Sequence, residues 1–267
     1  KMNFNIKPSL PDERDYIYKS DNTEVLRESV DLREWDTIVE SQDSLGSCSA
    51  NAITNAYEIC VNRMYPEYFT HLSRLFVYYN TRVEYGIVEE DEGMFLRDGM
   101  KSLSKFGVCT EELWPYDINN FTKRPTDECY EDAKKRKILK YQKLTSTYYI
   151  TEVLNHNKPV VFGMEIYDSF MNLNENISTV NIPSRKEKSL GGHAMCMVGY
   201  DMKKRLFLAK NSFGSTWGDN GYCWISFDYL RQEGYDIWTF DIPNQIGDTN
   251  VLPQTLSLPI LLQETLL

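Results

Sequence analysis

The sequence predicts an α+β chain of two lobes, a helical first half and a β-rich second half, with a cleft between them. Apolar residues recur at helical spacing from Cys48 through Ala52, Ile53, Ala56, Tyr57, Cys60 and Val61. After about residue 138 the pattern changes to short apolar runs of strand length, with Gly or Asp turns between them. The chain of 267 residues is 42% hydrophobic and 13% aromatic, enough to fill one large core or two lobes packed as one unit.

The elements follow in order. Residues 1–29 carry Pro8, Pro11 and many charges without an apolar period, and read as an N-terminal arm. The folded domain spans 30–242, divided into a helical lobe over 30–137 and a β-rich lobe over 138–242. Residues 41–46 form a polar loop ending in Gly46. A helix of three to four turns starts at Cys48. Further helices are expected over 72–82, over 96–106 with Gly107 as the stop, and within 126–136. Tyr148-Tyr149-Ile150, Val160-Val161-Phe162 and Met164-Glu165-Ile166 read as strands, with a short helix over 151–157 before Pro159. Residues 172–188 are polar and irregular. Strands are expected over 193–200, 206–210 and 222–226. Residues 243–267 form a tail, apolar but broken by Pro253 and Pro259, too short and interrupted to span a membrane.

The formal net charge of −10 excludes nucleic acid or an anionic membrane as main partner, since both select basic surfaces. The basic run Lys134-Lys135-Arg136-Lys137 is short, sits beside acidic residues and reads as a solvated helix face. Cysteines stand at 48, 60, 109, 129, 196 and 223, with no CxxC spacing, so no metal site or cofactor is implied. A free nucleophile at Cys48 leaves an odd number, and a reducing compartment is the simpler reading. Cys109 to Cys129 is the pair most open to bridging.

Cys48 opens a helix. Unpaired N–H groups and the dipole at that end favour a thiolate, whereas most free cysteines are only small buried hydrophobes. Three His are available as its partner. His71 and His156 lie in cap or surface contexts. His193 follows Gly191-Gly192 and precedes an apolar strand, which holds one ring at a sheet rim. Asn211 ends a strand and opens the turn Asn211-Ser212-Phe213-Gly214-Ser215-Thr216-Trp217-Gly218. Its oxygen can accept a ring N–H without competing for the proton. The Cys48 N–H and the Gln42 amide, six residues earlier, are the candidate donors to an oxyanion.

These residues resemble the papain-like cysteine proteases, the family of the cathepsins. His193 lies 145 residues beyond Cys48, and the family spaces its His and Asn roughly 130–150 residues after the Cys. Gln42-Asp43-Ser44-Leu45-Gly46-Ser47-Cys48-Ser49-Ala50 resembles the family's Cys block. Gly191-Gly192-His193-Ala194 is most similar to the cathepsin B form of the His block, and Lys210-Asn211-Ser212-Phe213-Gly214 resembles the Asn block. Val30-Asp31-Leu32-Arg33 resembles a mature N-terminus. The resemblance implies a papain-like fold, with a β-barrel-like second lobe and the active-site cleft between the lobes, and a monomeric cysteine endopeptidase acting on proteins or peptides and open to protein inhibitors. It assigns Cys48, His193, Asn211 and Gln42 to catalysis. It assigns Gly93, Met94, Gly192, Ala194 and Trp217 to substrate binding, with Met94 and Ala194 lining an apolar S2 pocket. Transpeptidation through the same acyl-enzyme and a non-catalytic binding protein are the alternatives.

Three departures stand out. Leu45 replaces a family disulfide Cys, Ser49 replaces a Trp, and Phe213 replaces the Trp that shields the His–Asn pair. No His pair precedes residue 125, so an occluding loop is not expected. The arm would lie where a pro-segment does, and either crosses the outside of the lobes or runs through the cleft.

Overall fold

The computed structural model describes residues 4–20 and 24–244. The tail from residue 245 onward, with its two prolines, lies outside the described residues.

A short strand β1 (Ser29–Asp31) starts the domain, followed by a 3-10 turn (Arg33–Trp35). The helical lobe holds α1 (Cys48–Met64), α2 (Arg74–Val83), α3 (Leu96–Lys105) and α4 (Asp127–Ala133). Then come β2 (Lys140–Lys143), α5 (Thr147–Asn155), β3 (Val160–Tyr167) and β4 (Thr179–Val180). The chain continues through β5 (Ser189–Asp201), β6 (Leu206–Lys210), β7 (Tyr222–Ser226), α6 (Phe227–Glu233) and β8 (Gly234–Asp241).

Local chemistry explains most of the helix starts. Ser73, Thr126, Ser146 and Ser226 each accept a hydrogen bond from the backbone N–H three residues on, the usual N-cap. The stop of α3 is as expected. Gly107 has φ +77°, and a Cβ there would fall 1.9 Å from the Ala133 carbonyl oxygen, so only glycine fits.

One strand expectation fails. Tyr148-Tyr149-Ile150 is not a strand but the first turn of α5. The Ser146 cap and the buried stripe Ile150, Val153, Leu154 outweigh the β preference of two tyrosines and an isoleucine. The neighbouring runs 160–162 and 164–166 join into the single strand β3.

The strands form one sheet in the order β2-β8-β3-β5-β6-β7-β4, with β1 paired to β5. The path is open: among the described residues, the expected barrel-like lobe is a sheet that does not close. Its centre is the β3–β5 pair, which sets His193 opposite Met164 and Ala194 opposite Gly163. Helix α1 packs on β5, and one hydrophobic core runs without a break from Ile53 and Tyr57 into Val161 and Met195. A buried ion pair, Lys210 Nζ to Asp36 Oδ1 at 2.8 Å, ties β6 to the segment before the Cys48 loop. Among the described residues no helix is long and apolar enough to cross a membrane.

Candidate active site

Cys48 is the first residue of α1, and its N-cap Ser47 does not cap the helix with its side chain. The Ser47 hydroxyl meets Tyr116 instead, at 2.5 Å, and Asn51 Nδ2 donates to the Ser47 carbonyl at 3.0 Å. Burial raises the Cys48 thiol most, and the backbone N–H groups of Ala194, Ser49 and Cys48 itself act in the opposite direction, favouring the thiolate. Helix start and β5 therefore converge on one atom, placing the thiol beside the residue that follows His193.

His193 is fully buried on β5. Its Nε2 lies 2.7 Å from Asn211 Oδ1. That oxygen also accepts the Ser212 backbone N–H at 2.8 Å, which fixes the amide's orientation. An accepting oxygen requires the proton on Nε2, so Nδ1 carries the free lone pair. Nδ1 is buried and has no hydrogen-bond partner. The ring is thus prepared to take a proton at Nδ1 while Asn211 holds it. Phe213 lies over the ring at 4.9 Å between centroids, and Phe170 and Phe4 meet it edge-on at 5.8 and 5.7 Å.

Gln42 is also buried. Its side-chain oxygen accepts from Ser212 Oγ at 2.7 Å, and its amide nitrogen donates to the Leu45 carbonyl at 2.9 Å. An amide nitrogen carries two N–H donors, and this bond uses one of them. Arg74 braces this loop from α2, donating to the Ser41 carbonyl at 3.0 Å while its guanidinium lies 3.8 Å from the Tyr116 ring. Tyr116 in turn donates to the Gln42 carbonyl at 2.9 Å.

The expected substrate-binding residues divide. Gly93, Met94, Gly192 and Ala194 gather around Cys48 and the arm; Met94 and Ala194 are buried. Trp217 is buried in the aromatic shell against Phe170, 4.8 Å away, and its indole N–H donates to the Phe170 carbonyl at 3.1 Å. Ser49 donates to the Met94 carbonyl at 3.1 Å, so the departure from Trp ties the helix start to the substrate-side loop.

The arm does both things expected as alternatives. Asn5 and Ile6 form β-bridges with Gly192, and Phe4 packs on His193 and Phe213. A Cβ on Gly191 would fall 2.2 Å from the Phe4 carbonyl oxygen, and one on Gly192 would fall 2.0 Å from that of Ile6. The two glycines that free the backbone before His193 therefore also admit the arm. Farther on, the arm crosses the outside: Ser9 donates to Asp236 at 2.8 Å, Asp15 pairs with Arg97 at 2.6 Å, and Arg27 donates to Asn155. Beside the tip, Asn5, Lys7, Tyr85, Glu92 and Met94 line a cavity of about 470 Å³. Tyr235, whose hydroxyl donates to the Ile6 carbonyl at 3.2 Å, was not legible in sequence; it stands far from every recognisable block.

Under this cover, burial pushes the Cys48 thiol up to about 11 and the His193 imidazole down to about 4. The covered site therefore holds a neutral thiol and a neutral ring at pH 7. All six cysteines are free.

Residues 26–235 match the family model described as papain family cysteine protease. The chain belongs to the papain family of cysteine proteases. Within this family, an uncharacterized peptidase C1-like protein of Acanthamoeba polyphaga mimivirus is 33% identical, over 97% of this chain and 94% of that protein. The cathepsin B-like CP2 of Giardia intestinalis is 27% identical over 49% of this chain and 45% of its own length. Xylellain, a cysteine protease from Xylella fastidiosa, has a similar structure with TM-score 0.81 and 33% identity, covering 90% of this chain and 96% of that one. Digestive procathepsin L 3 of Tenebrio molitor, 18% identical with TM-score 0.68, shares the fold over 86% of this chain and 74% of its own. The chain is thus a papain-family peptide hydrolase.

Proposed function

We propose that the protein is a cysteine endopeptidase in which Cys48 is the nucleophile and His193 the proton carrier. The observation that carries this reading is the convergence on Cys48. The α1 start and the Ala194 N–H both favour its thiolate, and His193, the residue before Ala194, is held at 2.7 Å by Asn211. Proton transfer from the thiol to Nδ1 gives a thiolate and an imidazolium. The thiolate attacks the peptide carbonyl carbon and a C–S bond forms, with Gln42 and the Cys48 N–H stabilising the oxyanion. The C–N bond breaks as the imidazolium gives its proton to the leaving amine. Water then attacks the thioester carbon while Nδ1 takes its proton, the C–S bond breaks, and the acid product leaves.

Buried Met94 and Ala194 support a preference for an apolar P2 residue, and the tip of the arm, Phe4 to Ile6, supports an inhibitory role for residues 1–8. The arm's position on His193 is consistent with a latent enzyme whose ion pair forms once water enters the cleft. The test is Cys48→Ala in a peptide-hydrolysis assay with mass analysis of the products. Loss of hydrolysis and of labelling by an epoxide-type thiol inhibitor is expected. Retained hydrolysis sinks the assignment, and products extended by an added amine in place of water redirect it to transpeptidation.

A further inference from the structure

Gly46 lies two residues before Cys48 in a buried loop with no disulfide to hold it. Its backbone N–H donates to both carboxylate oxygens of Asp91, at 2.9 and 3.1 Å. The hydroxyl of buried Tyr78, on α2, donates to the same Oδ1 and accepts the Gly93 backbone N–H at 3.3 Å. Three segments thus meet at one carboxylate: the Cys48 loop, α2, and the turn that carries Gly93. The approach is close, since a Cβ on Gly46 would stand 3.0 Å from Oδ1.

We propose that Asp91 is a positioning residue, a latch that sets the loop bearing Cys48 against the segment bearing Gly93. This rests on Cys48 being the nucleophile. The latch fixes the separation between the attacking sulfur and the backbone that aligns the substrate. Misplacement by about 1 Å can lower a rate about 10²-fold, so a few hydrogen bonds at this joint matter. Ser49, through the Met94 carbonyl, is a second tie across the same gap. Asp91 also acts through its charge, since its negative field raises the Cys48 thiol. The carboxylate positions the thiol and at the same time opposes its ionisation, which separates geometry from charge experimentally.

Asp91→Asn keeps an oxygen acceptor for both the Gly46 N–H and the Tyr78 hydroxyl but removes the charge. Asp91→Ala removes both bonds. In the full chain, kcat and KM are measured with a fluorogenic peptide amide carrying Leu at P2. The pH dependence of Cys48 alkylation by iodoacetamide is followed by peptide mass, with a thermal melt for each variant. Asp91→Ala is expected to lower kcat about 10- to 100-fold with KM changed less than about 3-fold. Asp91→Asn is expected to hold kcat within about 3-fold of the parent while the alkylation midpoint moves to lower pH, which a merely structural residue would not cause. Tyr78→Phe, which keeps the ring and the carboxylate, is expected to lower kcat less than Asp91→Ala. It carries the test, with Asp91→Asn, if Asp91→Ala does not fold. Unchanged kcat in Asp91→Ala, or an Asp91→Asn as impaired as Asp91→Ala, overturns the latch. Hydrolysis that survives Cys48→Ala overturns the nucleophile assignment beneath it.

Discussion

Cys48 and His193 approach the cleft from opposite sides, and the two sides are held differently. The Cys48 loop is positioned by polar side chains from distant segments: Gln42 to Ser212, Asp91 to Gly46, Arg74 to Ser41, Tyr116 to Ser47. His193 is positioned by the β3–β5 ladder, by one amide oxygen, and by the rings of Phe213, Phe170 and Phe4. A loop lacks a backbone ladder, so directional hydrogen bonds must supply its geometry. A strand already has one, and the ring on it needs mainly exclusion of water.

The comparison can be broken in several ways. The largest effect belongs to the atom both sides serve. Cys48→Ala should lower kcat about 10⁴- to 10⁶-fold with a melting curve close to the parent's, and a steady-state assay beside a thermal scan checks both. Next, the polar side should fail in rate. Gln42→Ala is expected to lower kcat/KM about 10²- to 10³-fold, as loss of one oxyanion donor does. The aromatic side should fail in stability. Phe213→Ala is expected to cost about 3 kcal/mol in urea denaturation, from lost burial and the cavity left beside His193. If the two variants exchange these phenotypes, the contrast is wrong. Removing residues 1–8 should raise kcat/KM about 10-fold, because the open cleft is then always populated; an equal rate in the truncated and full chains removes the arm's inhibitory role.

The smallest effect is in pH. Burial depresses His193 from 6.5 to about 4. Between those values an uncovered or unfolded chain binds the proton and the covered site does not. The covered state therefore loses stability as pH falls from about 6.5 towards 4 and keeps it above. Tryptophan fluorescence or hydrogen exchange at Phe4 to Ile6 should report arm release in that window. His193→Gln should flatten the response.

Much of the site was legible because each member sits in its own local pattern. Cys48 opens a helical stripe, His193 follows two glycines, Asn211 begins a turn, and Gln42 stands six residues before the Cys. Other partners carry no such mark. Asp91 lies in the acidic run Glu89-Glu90-Asp91-Glu92 and reads as a solvated turn. Tyr78 and Arg74 look like ordinary positions of α2, and Tyr235 like a strand aromatic. Their roles depend on distant neighbours: Arg74 meets Ser41 across 33 residues, and Asp91 meets Gly46 across 45. The misread run 148–150 has the same origin. Propensity favoured a strand there, and the Ser146 cap with burial of Ile150 and Leu154 decided for a helix.

By itself, the sequence determined the α+β class, the helix start at Cys48, the order of the Cys, His and Asn blocks, and the chemistry those residue types allow. These follow from local spacing, capping and side-chain inventory. The tertiary structure alone decided that the sheet stays open, that Asp91 and Tyr78 hold the Cys48 loop, and that the arm enters the cleft before it wraps the outside. It also decided that the covered thiol and imidazole stay neutral. Packing brings together groups far apart in the chain, and burial and hydrogen bonding respond only to that final proximity.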